Sequence, residues 1–315
     1  MFLHNKDREL FRDVIKYVSE KANIREDIIE KDYYVTMILK ELSNAEYPVV
    51  FKGGTSLSKA YKVIDRFSED VDITFTEHLG EARRRKLKYN VLKPISEKLG
   101  LVISNWNKIE SDKDLNRYDF VYESINEELM NKIPSFVVVE TSLMSYSFPT
   151  NECMISNYLY DNLKDKQEQL LKEYGLIPFK MRVQSLERTL IDKVFAVCDY
   201  YLLNRAKKNA RHLYDIYKIQ NNISFDNEFY NLVNEVRKQR LLLGEGIAPA
   251  ANFEIDIRKI ATEICTSDFY KQDYEATTVF MISDKISYEV VRDNYLNVVK
   301  KIWYENWLIL QYKED

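Results

Sequence analysis

Apolar residues recur three or four positions apart over most of this 315-residue chain, a spacing typical of amphipathic helices. The pattern predicts helices over about residues 6–22 and 26–42, and it is the only pattern from residue 225 onward. The longest helix is predicted over residues 288–310. Only 7 glycines and 6 prolines interrupt the chain, which also favours long helices.

A second pattern, short runs of β-branched and aromatic residues, occurs only in the first 184 residues and predicts strands there. These strands are expected at residues 49–51, 70–75, 101–105, 118–122, 135–143 and 179–184. The two patterns together predict an α+β protein whose C-terminal portion is mainly helical.

The run over residues 135–143 is the most apolar of the predicted strands, and burial on both faces is expected there. Glu140 interrupts this run, and an unpaired buried carboxylate is costly. Two interpretations of Glu140 stay open: a functional carboxylate, or a glutamate near the end of a strand that faces solvent.

A glycine turn follows the first predicted strand. Gly53 and Gly54 end the apolar run, and Thr55 or Ser56 can cap the helix that begins there. A glycine turn that opens a helix presents backbone N–H groups, which suit a phosphate. Taken alone, such a pair of glycines is usually only a turn.

Two aspartates lie two positions apart in the next predicted strand. Asp70 and Asp72 should therefore point to one face of the strand, whereas Val71 and Ile73 point to the other. Neighbouring carboxylates repel each other unless a cation lies between them. Oxygen ligands of this kind suit Mg²⁺ that bridges to the phosphates of a nucleotide. Alone, this pattern is more often a solvated strand face.

The order strand, glycine turn, helix and Asp-x-Asp strand is that of the active-site unit in polymerase β-like nucleotidyltransferases. More narrowly, residues 52–59 (KGGTSLSK) with 66–72 (RFSEDVD) resemble the first motif of the AbiEii/AbiGii toxin-like nucleotidyltransferases. These are toxins of type IV abortive-infection toxin–antitoxin systems, and the MenT enzymes are related to them. Residues 30–35, 189–196 and 211–216 resemble further family segments, although His212 stands where an aspartate is common.

The resemblance implies a polymerase β-like nucleotidyltransferase core, with a mixed sheet and N-terminal helices, over residues 1–184. It implies a helical C-terminal domain over residues 185–315 that contributes to the active-site cleft. The implied reaction is attack of an acceptor hydroxyl on the α-phosphorus of a nucleoside triphosphate (NTP), with release of pyrophosphate.

The resemblance also assigns roles to residues. Asp70 and Asp72 would hold one or two Mg²⁺ ions, Lys193 would neutralise phosphate charge, and Asp215 or Glu140 would orient or deprotonate the acceptor. The residues implied in nucleotide binding are Gly53, Gly54, Thr55, Ser56, Lys59, Ser68, Lys193 and Arg211. The implied partners are the NTP, the 3′ end of tRNA as acceptor, and a cognate antitoxin protein; the implied setting is phage defence.

Charged segments elsewhere have simpler interpretations. The net charge of −4 gives no whole-chain signature of nucleic-acid binding. The basic run over residues 83–88 and most of the charges of Glu30, Lys31 and Asp32 are predicted to be solvated helix faces. A contact with the nucleotide is the alternative for Lys31. A rim that follows RNA phosphates is the alternative for the basic run. Arg211 and Asp215 lie four positions apart and can pair on one helix face.

The remaining features predict a cytoplasmic protein. The three cysteines are isolated in the sequence, which indicates reduced thiols, and neither a signal peptide nor an apolar run of membrane-spanning length is found. Two other functions stay open: a nucleotidyltransferase that modifies a small molecule or a protein hydroxyl, and a catalytically inactive interaction module.

Overall fold

The structure is a computed structural model. It describes residues 2–77, 79–110, 113–125, 133–143 and 148–311, and for residues 304–311 it describes the course of the helix only.

The chain folds as two compact units. The first unit comprises Met1–Tyr61 and Ser68–Gln184, and the second comprises Lys62–Phe67 and Ser185–Asp315. Six residues between the glycine turn and the Asp-x-Asp segment therefore belong to the second unit, although both flanking segments belong to the first.

A mixed sheet forms the centre of the first unit. Its strands are β1 (Val49–Lys52), β2 (Val71–Phe75), β3 (Val102–Ile103), β4 (Leu115–Val121), β5 (Phe136–Ser142), β6 (Thr150–Ile155) and β7 (Phe179–Gln184). They lie in the order β3-β4-β5-β2-β1-β7-β6. The pairs β2–β5 and β1–β7 are parallel, and the other neighbouring strands are antiparallel.

Several helices of the first unit pack against this sheet. The helices of this unit are α1 (Leu3–Lys6), α2 (Arg8–Ala22), α3 (Glu26–Ser43), α4 (Gly53–Lys59), α5 (Glu81–Lys86), a π-helix (Leu87–Leu92), α6 (Lys93–Leu99), a 3₁₀-helix (Trp106–Lys108), α7 (Tyr158–Leu163) and α8 (Glu168–Glu173). Helix α3 contacts β5 and β7, α4 contacts β1 and β2, and α6 contacts β3. Alternate residues of the central strands enter the core, among them Phe51, Ile73 and Val139. The intervening residues Asp72 and Glu140 are only half-buried. Strand alternation thus leaves polar side chains on the opposite face.

Among the residues that the structure describes, the named elements of the second unit are helices, and an isolated antiparallel bridge joins Arg66 to Ile282. Its helices are α9 (Leu186–Leu202), α10 (Arg211–Ile219), α11 (Asn227–Leu241), α12 (Ile257–Thr266), α13 (Lys271–Ala276) and α14 (Tyr288–Gln311), with 3₁₀-helices at Gln220–Asn222, Pro249–Ala251 and Thr278–Phe280. Helix α9 packs against α10, α11 and α12. The α+β fold with a helical C-terminal portion, predicted from the sequence, is confirmed.

The segment Lys62–Phe67 is fixed to the second unit by main-chain hydrogen bonds. The amide of Phe67 donates to the carbonyl oxygen of Met281 at 3.1 Å, and the amide of Ser283 donates to the carbonyl oxygen of Asp65 at 3.0 Å. The segment that precedes Asp70 in the chain is therefore held at its start by residues 281–283, a pairing that the sequence pattern did not reveal.

Candidate active site

The glycine turn and Asp72 are in direct contact. Lys52 and Asp72 are partners in the register of β1 and β2, and Gly53 follows Lys52 with φ of +79°. A Cβ atom at position 53 would lie 1.9 Å from Oδ2 of Asp72. Gly53 is required for two separate reasons: its backbone has a left-handed conformation, and the Asp72 carboxylate occupies the space of a side chain.

Replacing Gly53 with alanine should displace the Asp72 carboxylate and lower nucleotide transfer by about a hundredfold, the order of loss expected when a reacting group is misplaced by about 1 Å. The measurement is the steady-state transfer rate, together with the thermal unfolding midpoint. Gly244→Ala is the matched control, because Gly244 also has a positive φ, of +77°, but a Cβ there would meet nothing within 4 Å. Equal transfer rates in the two variants would contradict the assignment.

A row of four charged side chains crosses the polar face of the sheet. Lys52 pairs in register with Asp72, Asp72 with Glu140, and Glu140 with Arg117. Side chains in register on neighbouring strands lie on the same face. Glu140 thus stands beside Asp72, which favours the functional interpretation of this carboxylate over a strand-end residue of no special role.

Sequence reasoning missed Lys52 and Arg117 as members of the site. Lys52 could have been found, because it directly precedes Gly53 within the first motif. Arg117 could not, because only the register of β4 against β5 brings it next to Glu140. Its guanidinium also donates to Asp119 at 2.7 Å on the same strand, so the arginine is already oriented along this face.

The segment Ser68–Asp70 leads directly into β2, which begins one residue after Asp70. The hydroxyl groups of Ser68 and Thr55 lie 2.9 Å apart, and the ammonium group of Lys31 lies 2.5 Å from the Glu69 carboxylate. Ser68 and Glu69 therefore tie the residues before Asp70 to α4 and to α3. The hydroxyl groups of Thr55 and Ser56, which were predicted to bind phosphate, both have partners within the protein. Thr55 contacts Ser68, and the Ser56 hydroxyl donates to the carbonyl oxygen of Gly53 at 2.8 Å.

The prediction that Glu30, Lys31 and Asp32 form a solvated helix face is wrong. Glu30 and Lys31 are each 2% exposed, and the Asp32 side chain is 13% exposed. Glu30 accepts hydrogen bonds from the Ser124 hydroxyl and the Ile125 amide, Lys31 pairs with Glu69, and Asp32 pairs with Lys59. Each charge meets a partner from a different segment, which compensates for its burial.

Lys59, predicted to bind the nucleotide, is buried in this arrangement. Its ammonium group donates to the Asp32 carboxylate and to the carbonyl oxygen of Ser156. Asp32 also accepts a hydrogen bond from the Tyr158 amide at 2.9 Å. In this structure Lys59 joins the end of α4 to α3 and to the start of α7; its role towards a nucleotide stays a prediction.

A second charged cluster lies within the second unit. Asp215 on α10 has a side chain that is 0% exposed, and it accepts two hydrogen bonds from Arg66, at 2.6 and 2.8 Å. The ammonium group of Lys193 on α9 donates to the same carboxylate at 2.7 Å. Among the described residues, the ion-pair partners of Asp215 are thus Arg66 and Lys193, and the expected pairing with Arg211 is wrong. A two-pronged guanidinium contact to a carboxylate is the stronger arrangement.

The surroundings of this cluster decide what its groups can do. Burial alone would raise the pKa of Asp215, but Arg66 and Lys193 hold that pKa well below its usual value. A carboxylate held by three N–H donors is a poor proton acceptor, which counts against Asp215 as a general base. Burial lowers the pKa of Lys193 despite the nearby Asp215 carboxylate.

The cluster joins two buried basic side chains to one buried carboxylate. Arg66 is 5% exposed and Lys193 is 7% exposed, so both are largely removed from water. Buried charged groups are costly unless they are paired. The Asp215 carboxylate supplies such a pairing to both Arg66 and Lys193.

His212 stands where the family resemblance led us to expect an aspartate. Burial lowers the pKa of its imidazole well below the usual value, which favours the neutral ring. The ring stacks on Tyr200, with centroids 5.8 Å apart. A packing residue thus stands where a carboxylate was expected.

The donor atoms at the glycine turn fit a magnesium ion that is shared with a substrate. Within the described residues, no three histidine, cysteine, aspartate or glutamate side chains gather into a ready-made metal cluster. Mg²⁺ in nucleotide enzymes is usually held by one or two carboxylates and completed by substrate phosphates and water. Asp72 is one such carboxylate at the glycine turn, and Asp70 as the second ligand stays a prediction.

Comparison with the sequence profiles of known protein families identifies the family of this chain. The sequence profile of the family described as "Nucleotidyl transferase AbiEii toxin, Type IV TA system" matches residues 38–297, well over half of the chain. No curated protein sequence matches the chain. No helix in the described parts is long and apolar enough to cross a bilayer.

Two solved structures are similar to this chain. The crystal structure of JHP933 from Helicobacter pylori is 15% identical, with a TM-score of 0.47, and the match covers 92% of this chain and 99% of that one. MenT4, a nucleotidyltransferase toxin from Mycobacterium tuberculosis, is 17% identical, with a TM-score of 0.49 and coverage of 92% and 88%. The profile match is the finding that decides the family: this chain belongs to the AbiEii nucleotidyltransferase toxins of type IV toxin–antitoxin systems.

Proposed function

We propose that this nucleotidyltransferase transfers a nucleoside monophosphate from a magnesium-bound NTP to the 3′-terminal hydroxyl of tRNA. The observation that carries the proposal is the contact between the Asp72 carboxylate and the glycine turn, with Glu140 in register beside it. A carboxylate at a turn that presents backbone N–H groups is suited to a metal-bound triphosphate.

Each group of residues in the site has a proposed role. Asp70 and Asp72 would hold the metal, and residues 53–56 with Ser68 would receive the triphosphate. Bound Mg²⁺ would stabilise the charge on the attacking and leaving oxygens. Lys193 would contribute positive charge to the phosphates, and Lys59 and Arg211 remain proposed contacts.

Glu140 is the better candidate for the group that accepts the proton of the acceptor hydroxyl. It is half-buried and stands beside Asp72, whereas Asp215 is fully buried and is already bound to Arg66 and Lys193. A general base has to reach the proton that it removes, and a half-buried side chain is open to a ligand whereas a fully buried one is not. We assign Asp215 to the positioning of Lys193 and Arg66.

The biological role proposed with this reaction is growth arrest in the cytoplasm, where NTPs and tRNA are present. Blocking the 3′ end of tRNA stops translation, which would serve abortive infection as a phage defence. A cognate antitoxin protein is the expected partner, because the family belongs to type IV toxin–antitoxin systems.

The test incubates the purified protein with each α-labelled NTP, Mg²⁺ and total cellular RNA, and then identifies the labelled species by size. Label in the tRNA band is expected. Periodate oxidation of the RNA, which destroys the 3′-terminal diol, should abolish the labelling. Label that appears in protein or in the small-molecule fraction, or label that survives periodate, would show that the acceptor is not the tRNA 3′ end.

A further inference from the structure

A patch of basic and aromatic residues on the first unit lies outside the site described above. It consists of Arg85, Lys86, Tyr89, Lys93, Trp106 and Lys108, and is called the Tyr89 patch below. Five of these residues are exposed, and the sixth, Trp106, is partly exposed. Tyr89 is 45% exposed. The motifs that identify the family do not include this patch.

The π-helix explains how the patch is assembled. Residues five apart return to one side of a π-helix, because its hydrogen bonds join residues i and i+5. Lys88 and Lys93 are five apart, and their ammonium groups lie 4.6 and 5.9 Å from the ring centroid of Trp106. The Tyr89 ring meets the Trp106 ring edge-on at 5.4 Å. A π-turn at this position thus gathers cations around two aromatic rings.

Internal contacts fix the aromatic platform. The buried Lys88 ammonium group donates to the carbonyl oxygen of Ile109 at 2.7 Å, which holds the turn that carries Trp106. The guanidinium of Arg85 lies 6.0 Å from the Tyr89 ring centroid. Side chains that are already oriented lose less conformational freedom when a ligand binds.

The positive charge of the patch is largely uncompensated. Arg83 pairs with Glu77 and Arg84 with Asp114, both at 2.9 Å. Across the parts of the chain that the structure describes, Arg85, Lys86 and Lys108 have no carboxylate within 4.0 Å, and Lys93 has only Glu97 at 3.8 Å. This local excess stands out in a chain whose net charge is −4.

We propose that the Tyr89 patch binds the RNA acceptor away from its 3′ end, with its cations on backbone phosphates and the Tyr89 ring against a base. Basic side chains beside exposed aromatic rings are the combination with which proteins hold RNA without reading its sequence. A protein partner would be favoured by an apolar centre, whereas the exposed residues of this patch are mainly cations. The inference rests on RNA being the acceptor.

The test compares two matched double variants. Tyr89→Ala with Lys86→Gln alters the patch, and Tyr17→Ala with Lys16→Gln makes the same changes on α2, where Tyr17 is 48% exposed and Lys16 is also exposed. Binding of a fluorescently labelled tRNA transcript is measured by anisotropy at several salt concentrations. The patch variant should bind about tenfold more weakly, with a salt slope smaller by about one. The α2 variant should bind like the unaltered protein.

A kinetic readout separates this inference from the proposed function. The patch variant should raise KM for tRNA about tenfold, by the loss of one stacking contact. Its kcat and its KM for NTP should not change, and a short oligonucleotide that carries only the tRNA 3′ end should show no difference. If the double variant unfolds, the single variant Lys86→Glu replaces it, because Lys86 is exposed. The single variant should also weaken binding of tRNA.

Equal tRNA affinities in the patch and α2 variants would overturn the inference, as would a protein that binds no tRNA at all. Should the unaltered protein label no RNA, the proposed function fails independently of the binding result. Should it label tRNA while the patch variants bind normally, the function stands and only the docking surface is rejected.

Discussion

Asp72→Asn should lower the rate of nucleotide transfer by at least about a hundredfold and leave the fold intact. Loss of a group that merely supports a metal ligand costs about ten- to a hundredfold, so loss of a ligand itself should reach the upper end or exceed it. Asparagine has nearly the same shape as aspartate and fits beside Gly53, but it lacks the negative charge that holds a divalent cation.

The measurement is the rate of label transfer at saturating NTP, with circular dichroism and thermal unfolding as checks of the fold. A second readout is the binding of NTP with and without Mg²⁺, because the variant should lose the part of the affinity that depends on the metal. Asp13→Asn, at an exposed position on α2, is the control and should retain full activity. A fully active Asp72→Asn protein would remove the basis of the proposed function.

Asp215→Ala should strongly destabilise the protein, whereas Lys193→Met should not. Removal of Asp215 takes away the carboxylate that Arg66 and Lys193 share, and breaking a buried ion pair in this way costs about 3–5 kcal/mol. That is a large fraction of the roughly 5–15 kcal/mol that stabilises a typical protein. Lys193→Met instead removes one buried amine and leaves the two-pronged Arg66–Asp215 pair intact.

We therefore expect Lys193→Met to unfold at the same denaturant concentration as the unaltered protein, or a higher one, and still to lose at least about a hundredfold in transfer rate. Denaturant unfolding and transfer kinetics measure the two effects. Lys259→Met, at an exposed position on α12, controls for the loss of a lysine charge. A strongly destabilised Lys193→Met protein would indicate that the lysine is structural, and an active one would exclude it from the site.

The sequence by itself determined the features that depend on neighbouring residues. The alternation of Val71 to Ile73, the glycines after β1 and the helical period beyond residue 225 all act over a few positions, so they predict local structure and place the first motif. The order of these elements was also sufficient for the family resemblance, which the profile match over residues 38–297 confirms.

The tertiary structure alone decided which distant side chains meet. Arg66 and Asp215 are 149 positions apart, Lys31 pairs with Glu69, and Arg117 reaches Glu140 only through strand register. Sequence spacing could not predict these contacts, and it placed the buried charges of α3 in solvent. The physical reason is that burial of a charged side chain is costly unless an opposite charge or hydrogen-bonding group lies beside it. Here that partner comes from a distant segment of the chain, which the local sequence pattern does not identify.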